Sequence, residues 1–171
     1  MPNVVTLITG ESLHTSWWSH PQSHRIFATL SELADDTDVL FAKVIHGKET
    51  LVHRRLWPAL LAAASAREAW QVHGLSVAER RLLDAVDASD EPIRGGGPPG
   101  KALERRLLVR AEEVHTASGR HESALESWSS WQRRTRTEPA ASAHTGKRAI
   151  EAAARALGVS LSALPWSSAS K

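Results

Sequence analysis

The chain has no cysteine, no tyrosine, one methionine and two phenylalanines in 171 residues. Without cysteine there are no disulfide staples, no thiolate nucleophile and no Cys-ligated zinc or iron–sulfur centre. No apolar run approaches the roughly 18 residues that a bilayer crossing requires. Residues Met1 to Gly10 lack both the basic start and the long apolar stretch of a secretory signal, so a soluble cytoplasmic protein without membrane contact is expected. Strong compositional bias is absent too. Hydrophobic residues make up 42% and charged residues 23%, which excludes a fibrous or wholly disordered chain. What is abundant is tryptophan, with seven, and histidine, with nine.

Charge is spread unevenly. Residues 1–92 carry a net −4 and residues 93–171 a net +6. Arginine outnumbers lysine by 16 to 5, which suits planar recognition of phosphates and base edges. A basic half on a nearly neutral chain points to a localised polyanion-binding face, or else to a surface of solvated arginines.

Periodicity and turn signals predict an α+β fold in three portions: residues 1–74, 75–136 and 137–171. In the first, Val4 to Ile8 is a short β-rich run ended by Gly10 and a candidate strand. Ile26, Phe27, Leu30 and Leu33 predict one apolar helix face beginning near His20-Pro21 and ending near Asp35. Val39–Ile45 and Glu49–His53 flank His46-Gly47-Lys48 and predict a β-hairpin, since a glycine in so short a loop supplies the positive φ it needs. Leu56-Trp57-Pro58 opens a further helix with Leu60, Leu61 and Ala64 on one face. This helix–hairpin–helix portion is expected to bury Phe27, Phe41, Trp57 and Leu61.

In the second portion Ser76-Val77-Ala78-Glu79 fits a capping box, with Val77, Leu82, Leu83 and Val86 as the apolar stripe. The run Gly95 to Gly100 reads as a loop or hinge, and Gly100-Lys101-Ala102 lacks the Ser/Thr of a phosphate-binding loop. Lys101 to Trp131 admits two readings. One is a long helix, a Ser118-Gly119 cap and a second helix. The other is a basic helix to about Leu108, then strands Val109–Thr116 and Arg120–Ser127 about a tight turn, favoured by the β-prone Val114-His115-Thr116. Arg133-Arg134-Thr135-Arg136 follows as a basic connector. Lys147 to Leu157 predicts a last helix closed by Gly158, with Trp166 packing back.

A capped helix (Ser76–Ala88), a stretch with Ile93, a basic helix (Lys101–Leu108), then strand, Ser-Gly turn and strand resembles a winged-helix DNA-binding domain. The resemblance covers a third to a half of the chain and rests on element order. It implies that the basic helix enters the major groove while the wing touches the backbone or minor groove. On that resemblance Lys101, Arg105 and Arg106 lie on or near the reading helix, Arg110 at its exit and Arg120 at the wing tip. Arg133 and Arg134 extend the footprint. Trp128, Trp131 and Trp166 stack on bases if exposed, although their spacing suits a core. The implied function is duplex-DNA binding, regulatory or accessory to DNA processing.

Histidines give a second constellation. His14, His20 and His24 surround Trp17-Trp18, and His20 and His24 at i, i+4 share a helix face as two metal ligands can. A metal centre needs a third ligand, Glu11 is the nearest acid, and no HExxH motif is present, so neither metal nor cofactor is expected. Two alternatives to DNA binding follow: a His-based enzyme acting on nucleic acid through His14, His20 and His24, and a protein–protein adaptor using exposed tryptophans.

Overall fold

Asn3 begins the fold as a helix cap. Its side chain accepts the Thr6 N–H at 2.8 Å, and Gly10 closes the far end in the left-handed region, so Val4–Thr9 is a helix, α1. The strand expected at Val4–Ile8 is therefore corrected: caps at both ends outweigh a β preference of only a few tenths of a kcal/mol per residue. A computed structural model describes residues 3–11, 16–95, 97–115 and 121–170.

Helix α2, Ser23–Asp35, buries Ile26 completely. Phe27 does not join it. One residue further round the helix, it is 54% exposed and leans on Trp18 at 5.8 Å, which corrects its placement in the core. Strands β1, Val39–Ile45, and β2, Lys48–His53, pair antiparallel as a two-stranded sheet. His46 and Gly47 both have positive φ (54° and 63°), the signature of a two-residue hairpin turn. Phe41 is only half-buried on this hairpin.

Helix α3, Trp57–Ala64, carries Pro58 in its first turn and buries every residue from Ala59 to Ala64. Trp57 is half-buried, its indole N–H donated to the Val52 carbonyl at 3.0 Å. The last long helix, α8 (Ala143–Ala156), packs along α3. It starts earlier than its apolar periodicity predicts because Ser142 caps it through the Thr145 N–H. The hairpin, α3, α8 and the C-terminal turns enclose one core, which also holds Trp128, Trp131 and Trp166.

A second core collects Leu75, Leu83, Val86, Leu103, Leu108, Val109 and Leu125. It lies among α4 (Ala69–Val72), α5 (Val77–Asp87), β3 (Ile93–Arg94), α6 (Gly97–Arg105), β4 (Arg110–His115) and β5 (His121–Glu126). The three strands form an antiparallel sheet in the order β3-β5-β4. The capping box is present, with the Ser76 N–H donating to Glu79 Oε2 at 2.7 Å. Val77, at the start of α5, is 67% exposed and leaves the stripe expected for it.

Two further expectations change. The glycine–proline run is no hinge, because α6 begins inside it at Gly97, and Pro98 and Pro99 occupy the first turn, where no amide donor is needed. Gly100 is buried against the Gly95 carbonyl, with no room for a β-carbon. The basic connector is also helical: α7, Trp128–Thr135, is capped by Ser127 and closed by a left-handed Arg136. The mixed helix and sheet content makes the protein α+β. Among the described residues no helix is long and apolar enough to cross a membrane.

Leu61 has no exposed surface and sits at the centre of the first core, so Leu61→Ala is expected to cost about 2–5 kcal/mol in chemical denaturation. A pH effect follows from Glu68, which accepts from Lys147 Nζ at 2.7 and 2.8 Å and from the Trp70 indole at 2.6 Å. The Lys147 hydrogen bond, with that of Trp70, holds its carboxyl below the usual glutamate range against the opposing effect of burial. A depressed carboxyl pKa stabilises the fold above the unfolded value, and that contribution fades as pH falls through the folded one. Stability of the wild type is therefore expected to fall more steeply below about pH 4.5 than that of Lys147→Met, measured by denaturant titration across pH 3–6.

Candidate nucleic-acid interface

Helix α6 turns Gly100 and Leu103 inward. The opposite face, Gly97, Pro98, Lys101 and Arg105, is exposed. Lys101 and Arg105 are i, i+4 neighbours on that face, and neither has a hydrogen-bond or ion-pair partner among the described residues. The acid beside them, Glu104, is taken by Lys43 of β1 at 2.8 Å. The exposed face of α6 is thus cationic, with no carboxylate paired to it among the described residues.

The other arginines singled out in the sequence are engaged inside the fold. Arg106 is half-buried and donates through Nη1 to the Gln71 and His73 carbonyls at 3.0 and 2.7 Å. Arg110 reaches Glu112 at 2.8 Å and Glu126 at 3.1 Å. Arg134 clamps Glu126 in two-pronged fashion, Nε to Oε1 at 3.2 Å and Nη2 to Oε2 at 2.8 Å. The Glu126 hydrogen bond raises the Arg134 pKa further above its ordinary value. Arg133 pairs with Asp90 at 2.6 Å. Arg120 lies outside the described residues. Of the seven cations, Lys101 and Arg105 share an open face, and four others are tied to carboxylates or carbonyls.

Arg54, Arg110 and Arg134 also line a cleft of about 420 Å³ with Trp57 and Trp131. Asp38 holds Arg54 and Glu126 holds the other two, so the cleft offers an anion little uncompensated charge. Trp128, Trp131 and Trp166 are buried and cannot stack on bases. Their ring contacts are internal, with Trp131 edge-on to both Trp57 and Trp128.

The histidine cluster is only partly described. His14 lies outside the described residues, His24 is exposed, and His20 faces Glu11 Oε1 at 3.3 Å while its Nδ1 accepts the Gln22 N–H. Among the described residues no group of three or more His, Asp or Glu is placed to hold a metal ion.

One cation near this face has no signal in the sequence. The turn of the β1–β2 hairpin lies against Arg105, whose Cγ and Cδ would be 3.5 and 3.7 Å from a β-carbon on Gly47. Lys48, the next residue, is exposed. The hairpin pattern locates the turn, but no local pattern tells which helix it will touch.

Comparison with protein-family models, curated proteins and solved structures finds no match for the chain.

Glu126 is buried and serves two arginines, of which Arg110 is itself mostly buried. Glu126→Gln is expected to cost about 3 kcal/mol, because it removes the buried charge that two guanidinium groups share and leaves Arg110 with only the exposed Glu112. Glu112→Gln, at an exposed carboxylate, is expected to cost less than about 1 kcal/mol, both variants being compared with the wild type by urea titration.

Proposed function

We propose that the protein binds duplex DNA through the outer face of α6, in a regulatory or accessory role. The observation that carries this reading is the pairing of Lys101 and Arg105 on one exposed helix face with no carboxylate partner among the described residues. Each such cation that meets a phosphate releases condensed counterions, which makes binding favourable and salt-sensitive. Further support comes from the succession α5, α6, β4, β5, which follows the element order on which the winged-helix resemblance rests. The chain departs from that family between β3 and α6, where two residues leave no length for a further helix. Arg106 contributes by fixing α6 rather than by touching DNA.

An adaptor role is the second reading. Trp18 is 62% exposed, stacks on Trp17 at 4.0 Å and adjoins the exposed Phe27, an apolar patch suited to a protein partner.

A salt series on duplex binding separates the two. Replacing both Lys101 and Arg105 by alanine is expected to flatten the log–log slope by about 1.8, at about 0.9 for each phosphate no longer neutralised. Trp18→Ala is expected to leave duplex binding unchanged. A wild type with no salt-dependent duplex binding, or a double variant whose slope is unchanged, would overturn the α6 reading in favour of the adaptor.

A further inference from the structure

The tip of the β1–β2 hairpin is held from two sides. His46 and Gly47 adopt the two positive φ angles of a tight turn, so the tip has no slack. The His46 N–H donates to the Ala163 carbonyl at 2.8 Å, which ties the tip to the C-terminal turns. On the other side the methylenes of Arg105 lie over Gly47, and Lys43 in the same strand pairs with Glu104. The hairpin and α6 are thus fastened together at two points, one apolar and one ionic.

This docking sets Lys48 beside the cationic face. Its Cα follows that of Gly47 by one trans peptide, about 3.8 Å. Its side chain is exposed and has no partner among the described residues. The neighbouring acid does not neutralise it. Glu49 is the next residue along the strand, points to the opposite face, and lines a separate cleft with Val4, Val5 and Trp17. Lys48 is thus an exposed cation within one residue of the Gly47–Arg105 contact, brought close to Lys101 and Arg105 from a separate part of the chain.

We propose that the hairpin tip is a second DNA-contacting element, with Lys48 meeting a backbone phosphate of the duplex held by α6. The assignment rests on the α6 reading and extends it across both cores. A lysine at a phosphate acts as a point charge, so it adds affinity and salt sensitivity without sequence preference. Because the turn is already fixed, little backbone entropy is lost when the contact forms.

Lys48→Gln in the full chain tests this, with the wild type measured in the same salt series on one duplex. The expected result is a slope flatter by about 0.9 and an affinity about tenfold lower at 50 mM salt, with an unchanged thermal midpoint. An unaltered slope in a wild type that binds duplex would overturn the hairpin contact and leave the α6 reading standing. A wild type with no salt-dependent duplex binding would overturn both.

Discussion

Gln71 holds the two halves of the molecule in register. It is fully buried, and its side-chain amide donates to the Ala64 carbonyl at 2.8 Å and toward the Arg106 and Leu107 carbonyls at 3.3 and 3.4 Å. Its own carbonyl accepts from Arg106, and the Trp128 indole donates to Leu107 at 2.9 Å. The need for this knot is general: the last carbonyls of a helix have no intrahelical donor, and each left buried and unpaired costs about 1–3 kcal/mol. Here the end of α6 is buried between two cores, so donors must come from elsewhere in the chain. Leu107 turns left-handed at φ 52° to make the crossing, and it lies in the first core while Leu108 lies in the second. Two adjacent side chains thus couple two cores.

That constraint also decides which charges reach the surface. Arg106 is committed to the knot, and Glu126 at the end of β5 gathers Arg110 and Arg134 beneath α7. The net +6 of the basic half is therefore not all directed outward: Arg106 is turned into the fold, and Arg133 is matched by Asp90 from the other half. What remains on the α6 face is small in number but fixed in direction, since α6 is held by the Gln71 knot at one end and by Gly100 against Gly95 near the other. A small set of well-placed cations gives binding whose strength is set by geometry more than by total charge.

Elements defined by local chemistry were legible in the sequence. The His46-Gly47 turn and the Ser76–Glu79 capping box follow from residues within one turn of each other, and strands β4 and β5 match one of the two readings that Lys101 to Trp131 allows. Where two local signals compete, the sequence misleads. Val4 to Ile8 favours a strand by residue type, but Asn3 and Gly10 make it a helix, and the run Gly95 to Gly100 reads as a loop or hinge although Pro98 and Pro99 lie in the first turn of α6. The site divides in the same way. Lys101 and Arg105 are a local i, i+4 pair and could be named in advance. The capture of Arg110 and Arg134 by Glu126, and the approach of Gly47 to Arg105, depend on tertiary packing that no window of sequence contains.

The distribution of tryptophan has a practical consequence. Trp128, Trp131 and Trp166 lie in the first core, Trp57 and Trp70 pack against it, and Trp17 and Trp18 sit by α2. The second core is built from leucine, valine and partly buried isoleucine and alanine, with no aromatic ring among its described members. Intrinsic fluorescence and near-ultraviolet dichroism therefore report on one half of the molecule, with the edge-on indole pairs as the dominant chromophores. The half that carries α6 is optically silent. Loosening there reaches the spectrum through contacts such as the Trp128–Leu107 hydrogen bond, which makes that indole a natural optical gauge of whether the two cores move together.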